Sequence, residues 1–168
     1  IESGTFESKT YNVIFGQGGT TVINGGTFTN ETTAEDGFKV IMYTGGNLTI
    51  NGGDFRGRKF GIQFNEGVTA KINACTVSLS DSSGFLISVN GGDLTNSRFG
   101  EYSKILKADG TEFSYYNIDV DGVIYYDLKG EYCRVIGPIP VTKVAIEGIV
   151  PPVAGETPSN TVGGDTVL

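Results

Sequence analysis

The sequence predicts an all-β fold: a right-handed parallel β-helix of about five coils, closed by an irregular antiparallel β cap. Three observations support this prediction. A short segment recurs about every 22 residues, apolar residues hold fixed places in it, and asparagine and glycine stand between them. A repeat of this period indicates a solenoid, in which each coil buries its apolar face only by stacking on its neighbours.

The recurring segment begins with an aliphatic residue and ends five residues later with phenylalanine or valine. Its starts differ by 22, 27, 22 and 22 residues. A single five-residue insertion, which we place at residues 29–37, accounts for the one long spacing. The five copies span residues 1–6, 23–28, 50–55, 72–77 and 94–99.

A second strand is predicted at a fixed distance after each copy. These apolar stretches lie at residues 13–15, 40–42, 62–64, 84–86 and 106–108. Alternate residues of a strand face opposite sides, so the two ends of each copy face the interior and form two columns. Full burial of such a side chain contributes about 1.5–3 kcal/mol. One column holds Ile1, Ile23, Ile50, Ile72 and Leu94, and the other holds Phe6, Phe28, Phe55, Val77 and Phe99.

A corner is predicted between the two columns. Asn24, Asn51 and Asn73 occupy one position there, and the first two are followed by Gly-Gly. Asparagine and glycine tolerate the left-handed backbone of a sharp bend, and stacked asparagines can hydrogen-bond from coil to coil. Asn-Gly is also typical of β-hairpins, but hairpins do not predict a constant register.

The segments Ile-Asn-Gly-Gly-Thr-Phe at 23–28 and Ile-Asn-Gly-Gly-Asp-Phe at 50–55, with asparagine at one corner, resemble the pectin-lyase-like right-handed parallel β-helix superfamily. The resemblance covers roughly residues 1–110. This superfamily includes polysaccharide lyases and hydrolases, phage tailspikes and noncatalytic surface proteins. The resemblance therefore implies a fold and not one activity.

We expect three regions along the chain. Residues 1–110 form the coils, residues 111–137 form an irregular last coil or a β-meander cap, and residues 138–168 form a terminal strand and a linker toward a further module. The stretch 144–158 is similar to module junctions of surface proteins of Gram-positive gut bacteria. Other modules of the same polypeptide are therefore expected partners, and the expected location is extracellular or at the cell surface.

Composition narrows the classes of function. The net charge is −7, and there is neither histidine nor tryptophan. Phosphate binding needs a basic surface, so we expect no nucleic-acid partner. The lack of histidine argues against zinc, haem and histidine-dependent hydrolysis, and we expect no cofactor. No run approaches the roughly 18 apolar residues of a spanning helix, so we expect no membrane insertion.

Cys75 and Cys133 are the two cysteines. Cys75 falls at a place that small residues fill in other copies, so we expect a buried thiol that fills space. A disulfide between Cys75 and Cys133 stays open at this point.

The candidate ligand site lies on two loops of consecutive coils. The loop after Phe28 holds Glu31, Glu35 and Asp36, and the loop after Phe55 holds Arg56, Arg58 and Lys59; these six residues and Asp54 form the predicted site. We favour ion pairing between the loops, which contributes about 0–1 kcal/mol per exposed pair. The alternative is a ligand site for an extracellular polysaccharide or a host glycan, which the resemblance implies and to which the insertion adds support, because long loops often carry function.

The resemblance adds a catalytic alternative for these loops. Polysaccharide lyases of this superfamily use a basic residue to abstract a proton from a uronate, with calcium held by carboxylates. Asp54 offers two further interpretations: a paired-carboxylate hydrolase site with Glu66, or one member of an outward column that could bind a glycan. That column comprises Thr5, Thr27, Asp54, Thr76 and Arg98.

The sequence thus favours a noncatalytic stalk or an adhesive, carbohydrate-binding module of a secreted or cell-surface bacterial protein. The alternative is a polysaccharide lyase or a glycoside hydrolase. A phage or appendage component is a third possibility.

Overall fold

The computed structural model describes residues 1–33, 37–65, 67–92, 98–99, 104–113, 118–120 and 123–137. Within these residues the fold is all-β, as predicted, and contains sixteen strands and no helix. In chain order the strands are β1 (Thr5–Ser8), β2 (Ile14–Gly16), β3 (Thr20–Ile23), β4 (Thr27–Asn30), β5 (Ile41–Tyr43), β6 (Gly46–Ile50), β7 (Asp54–Gly57), β8 (Phe60–Asn65), β9 (Val68–Ile72), β10 (Cys75–Leu79), β11 (Phe85–Gly92), β12 (Arg98–Phe99), β13 (Lys104–Leu106), β14 (Ile118–Val120), β15 (Val123–Leu128) and β16 (Tyr132–Ile136).

The first twelve strands form three sheets, and every third strand along the chain belongs to the same sheet. The first sheet takes β1, β4, β7 and β10, the second takes β2, β5, β8 and β11, and the third takes β3, β6, β9 and β12. Every pair of neighbours among these twelve strands is parallel. Each set of three strands therefore forms one repeat that lies against the next.

The predicted columns are confirmed over most of their length. Phe6, Phe28, Phe55 and Val77 are paired in the first sheet, and their aromatic rings stack with centroids 4.9 Å apart. In the third sheet Ile23, Ile50 and Ile72 are paired, and all three are buried. These side chains supply much of the apolar core that the three sheets enclose.

The corner between the two columns is a row of hydrogen-bonded asparagines. The Asn51 side-chain amide donates to Asn24 Oδ1 at 2.8 Å, and the Asn73 amide donates to Asn51 Oδ1 at 2.6 Å. Glu2 stands at the head of the row and accepts from Asn24 at 2.8 Å. Gly53 turns this corner with φ of +125°, a backbone conformation that favours glycine.

The insertion is confirmed at the predicted place. Ser8 pairs with Asn30 and Ile14 pairs with Ile41, so residues 31–40 stand where residues 9–13 stand in the first repeat. Ten residues therefore replace five. The predicted range of 29–37 overlaps this loop.

The predicted fifth repeat is wrong. Phe99 pairs with Ile72 in the third sheet and does not extend the phenylalanine column, while Leu94 lies outside the described residues. Five residues, 80–84, join β10 to β11, whereas only 58–59 join β7 to β8. This longer turn also shifts the second strand, because Phe85 pairs with Phe60 and Ile87 with Ile62. The alignment of residues 84–86 with 62–64 therefore fails.

Antiparallel strands extend the first and second sheets beyond β10 and β11, in the region where the β cap is predicted. Strand β16 is antiparallel to β10 and to β13, and β15 is antiparallel to β11 and to β14. Leu106 was expected in the second sheet, but it lies in β13, in the first. Residues 138–168, with the expected terminal strand and linker, lie outside the described residues.

Both cysteines are buried in this closing region, and both are free thiols. Cys75 lies opposite Val135, and Cys133 lies opposite Val77. Desolvation by burial raises the pKa of Cys133 to about 12. It also raises the pKa of Cys75, and the neighbouring Cys133 contributes to that shift.

Candidate functional site

The predicted site lies where the strands of the first sheet turn into those of the second. In three successive repeats these turns are residues 31–40, 58–59 and 80–84. The backbone N–H of Asp81 donates to the Arg58 carbonyl at 2.8 Å, and the N–H of Ser80 donates to the Gly57 carbonyl at 3.1 Å. Adjacent strands lie about 4.8 Å apart, so side chains from neighbouring turns lie side by side.

The buried Asn30 fixes the base of the insertion. Its amide donates to the backbone carbonyls of Tyr11 and Lys39, both at 2.9 Å, and its Oδ1 accepts from the N–H of Thr32 at 2.9 Å. Asn12 adds a second anchor, because its Oδ1 accepts from the N–H of Lys39 at 2.7 Å. Both ends of the ten-residue loop are thereby tied to the first repeat.

Two adjoining cavities lie between these turns. The first, which we call the insertion cavity, has a volume of about 330 Å³. Its lining residues are Thr32, Gly37, Phe38, Arg58, Lys59, Phe60 and Asp81. The second, of about 300 Å³, shares Arg58 and is lined by Thr29, Asn30, Glu31, Arg56, Gly57, Arg58 and Ser80.

The structure thus brings together Glu31, Arg56, Arg58 and Lys59 from the predicted set. Glu35 and Asp36 lie outside the described residues. Asp54 lies on the outer face of the first sheet, where its carboxylate accepts from Arg56 Nε at 2.8 Å and from Thr76 Oγ1 at 3.0 Å. Its two oxygens are therefore both engaged.

The ion pairs differ from those expected between the two loops. Glu31 pairs with Lys9 of the first repeat at 4.0 Å, and Arg56 pairs with Asp54 of its own strand. Among the described residues neither Arg58 nor Lys59 has a carboxylate within ion-pair distance. Arg58 instead donates to the Thr33 carbonyl at 3.0 Å. These two cations remain available to a ligand.

Two lysines approach the ring of Phe60, which lines the insertion cavity and packs on Phe85. The Nζ atoms of Lys39 and Lys59 lie 5.2 and 5.5 Å from the ring centroid of Phe60. Burial lowers the pKa of Lys39. The pKa of Asp81 is lowered chiefly by hydrogen bonds from Ser83 and, to a smaller degree, by Lys59 and Arg58. The cavity thus combines cations, one carboxylate and an apolar ring face.

The outward column is confirmed only in part. Thr5, Thr27, Asp54 and Thr76 are in register, but the next position is taken by Arg134 of β16. Arg98 pairs with Lys71 in the third sheet, so its place in the column is wrong. The proposed partner of Asp54, Glu66, lies outside the described residues.

The sequence pattern did not indicate several residues of the site. Asn30 precedes the insertion on the inward side of β4, and such a polar residue at an apolar position was the available signal. Phe38, Phe60 and Asp81 gave no signal in the sequence. They lie in different repeats, and the lengths of the turns determine whether such residues come into contact.

Metal ligands do not gather in the described part of the chain: no group of three or more cysteine, aspartate or glutamate side chains there could hold an ion. Nor does any helix within those ranges reach the length and apolarity needed to cross a membrane.

Comparisons with known proteins give no relative. No protein family, no curated protein and no solved structure matches the chain. The geometry of the site is therefore the basis for a function.

Proposed function

We propose that this chain is a noncatalytic, carbohydrate-binding module of a secreted or cell-surface bacterial protein, with its ligand in the insertion cavity. The observation that carries the proposal is that Arg58 and Lys59 line the same cavity as the ring of Phe60. Among the described residues, neither cation has a carboxylate within ion-pair distance. Ligand sites typically join an aromatic wall to a few polar groups that fix orientation.

The scaffold suits a binding module. Three parallel sheets filled in rotation, with a row of asparagines at one corner, support a right-handed parallel β-helix of the pectin-lyase-like kind. Turns that project from stacked strands are held at fixed spacing, so a site built from them is rigid. Such a module would act as a stalk or adhesive segment beside other modules of one polypeptide.

A glycan array probed with the purified protein tests the function. We expect binding to a restricted set of glycans, and weakening of at least about tenfold in Arg58→Ala and Lys59→Ala, as the loss of about 1.4 kcal/mol per contact requires. Lys71→Ala is the matched control, because Lys71 is an exposed cation on the outer face of the third sheet. Silence on all glycans, or full binding by the Arg58 and Lys59 variants, would contradict the proposal.

A polysaccharide lyase is the second candidate, and Lys39 favours it. The Nζ of Lys39 lies 5.2 Å from the ring centroid of Phe60, which lines the insertion cavity, and burial lowers the pKa of Lys39, as suits a general base. An absorbance assay for unsaturated uronates, run on several acidic polysaccharides with and without calcium, separates the two candidates. Turnover that Lys39→Gln abolishes would replace the binding module with an enzyme.

A further inference from the structure

We propose that a second saccharide subsite lies on the antiparallel cap, in line with the insertion cavity, and that the ligand is a linear anionic glycan spanning both. This inference rests on the proposed carbohydrate-binding function and adds the class of glycan. It starts from a third cavity, which we call the cap cavity, of about 500 Å³. Its lining residues are Ser82, Lys107, Ala108, Phe113, Lys129, Gly130, Glu131 and Tyr132.

One turn of the chain joins the three cavities. Ser80 lines the second cavity, Asp81 lines the insertion cavity and Ser82 lines the cap cavity. Just before this turn, the N–H of Leu79 donates to the Glu131 carbonyl at 2.7 Å, which places the start of β16 directly beside it. The three cavities therefore lie on neighbouring turns along one edge of the first sheet, from the end of β4 to the start of β16, and we call this row the track.

The length of the track exceeds one sugar ring. Three steps between adjacent strands separate β4 from β16, and at about 4.8 Å a step this amounts to about 14 Å. A monosaccharide would fill one cavity and leave the others empty. A chain of several sugars could contact all three at once.

The cap cavity repeats the chemistry of the insertion cavity. The Nζ of Lys107 lies 5.4 Å from the ring centroid of Phe113, as the Nζ of Lys59 lies 5.5 Å from that of Phe60. The half-buried Tyr132 adds a second aromatic surface, and the exposed Lys129 adds a second cation. The same combination at both ends of the track fits repeating units of one polymer.

The charge of the track selects an anionic ligand. Its lining holds five of the chain's 12 lysines and arginines, Arg56, Arg58, Lys59, Lys107 and Lys129, and three carboxylates, Glu31, Asp81 and Glu131. The lining is therefore net positive, whereas the net charge of the chain is −7. Of the five cations, only Arg56 has a carboxylate within ion-pair distance among the described residues. The acidic remainder of the surface would repel a nucleic acid, which carries a charge about every 3.4 Å along each strand of a duplex. A glycan with more widely spaced sulfates or carboxylates escapes most of this repulsion.

Titration calorimetry with oligosaccharides of two lengths tests the inference. The probes are disaccharides and octasaccharides of κ-carrageenan, whose only charged groups are widely spaced sulfates, and of polygalacturonate, whose only charged groups are carboxylates. We expect the octasaccharide of one series to bind at least about tenfold more tightly than its disaccharide, because the second subsite then acts within one ligand. The series that binds identifies the anionic group.

Variants of the cap test whether the cap cavity causes the tighter binding of the octasaccharide. Lys107→Ala/Lys129→Ala should reduce the ratio of octasaccharide to disaccharide affinity by about tenfold, and Lys71→Ala should leave it unchanged. Both lysines are exposed, and far-UV circular dichroism checks that the variant folds. Equal affinity for the two lengths, or an unchanged ratio in the double variant, would overturn the second subsite while leaving the first intact.

Two other outcomes bear on the class of ligand. Equally tight binding of a neutral oligosaccharide, or of single-stranded DNA, would overturn the anionic glycan. Failure of every anionic oligosaccharide at both lengths, with binding retained on the glycan array, would overturn the inference alone. Silence on the array as well would refute the proposed function.

Discussion

Asn51 accepts a hydrogen bond from the side-chain amide of Asn73 at 2.6 Å while its own amide donates to Asn24 at 2.8 Å. Asn51 is therefore the middle rung of the row and links three repeats. Each rung occupies a corner where the backbone also continues the third-sheet ladder, since the N–H of Asn51 donates to the Ile23 carbonyl at 2.7 Å. Side-chain and main-chain bonds thus fix the same register.

Removing the middle rung should weaken the fold measurably. Asn51→Ala loses two side-chain hydrogen bonds, and we expect a loss of about 1–2 kcal/mol in the free energy of unfolding. Asn47→Ala is the control, because its amide makes one long contact of 3.4 Å to Thr20, and it should change stability by less than about 0.5 kcal/mol. Urea denaturation measures both, and equal effects would show that the row adds nothing.

The stability lost when a phenylalanine of the stack is replaced by alanine should depend on its position in the stack. Phe55 is 0% exposed and has neighbours on both sides, whereas Phe6 is 37% exposed at the open end. We expect Phe55→Ala to cost about 3–5 kcal/mol, because it leaves a cavity. Phe6→Ala should cost about 1–2 kcal/mol, in proportion to the area it buries. Thermal unfolding of the pair checks this order, and the reverse order would contradict the stacking.

Asn30 should matter for both stability and ligand binding. Asn30→Ala leaves the carbonyls of Tyr11 and Lys39 without their side-chain donor, which we expect to cost up to about 3 kcal/mol. The released loop should become susceptible to limited proteolysis between residues 31 and 40. Thr29→Ala, an outward neighbour on the same strand, should leave the digestion pattern unchanged. A resistant loop in Asn30→Ala would show that Asn12 alone suffices as an anchor.

The buried thiols should make the fold sensitive to alkali. The pKa of Cys133 is raised from 9.0 to about 12 in the folded chain, and that of Cys75 is raised as well. The unfolded chain therefore loses these protons first as pH rises. Their contribution to stability is full below about pH 9 and is lost as pH approaches 12.

Chemical denaturation at a series of pH values measures this loss. The slope between pH 9 and 12 should be shallower in Cys75→Ala/Cys133→Ala, since the two thiols then no longer contribute to it. In the wild type a thiol reagent should react slowly with the native protein and at once after unfolding. Rapid reaction of two thiols in the native protein would contradict their burial.

The sequence predicted the parts of the fold that depend on residue identity. The columns of isoleucine and phenylalanine repeat the same residues, so their register and their burial followed directly, and the asparagine row followed for the same reason. The predicted register failed after Leu79. The turn 80–84 is three residues longer than the turn 58–59 of the preceding repeat, and its sequence does not show that these residues lie outside a strand. Polar turns leave little periodicity from which a length could be read.

The site was predictable to a similar extent. The charged residues at 31, 56, 58 and 59 were recognisable because the repeated segments around them are mostly uncharged. The structure places them around adjoining cavities. Ion pairing between the loops could not be decided from spacing, because Arg56 reaches Asp54 within its own strand. The cap cavity was beyond prediction, since antiparallel β16 brings Tyr132 beside the turn that holds Ser82.

The row of asparagines also has a direction. Every amide in it points its N–H toward the first repeat, so the three side-chain dipoles add head to tail, with the positive end on the carboxylate of Glu2. A negative charge at the positive end of aligned dipoles is stabilised, as at the start of a helix. This corner of the stacked repeats thus carries a small electrical polarity along the row, and a carboxylate, which accepts but does not donate, sets its direction.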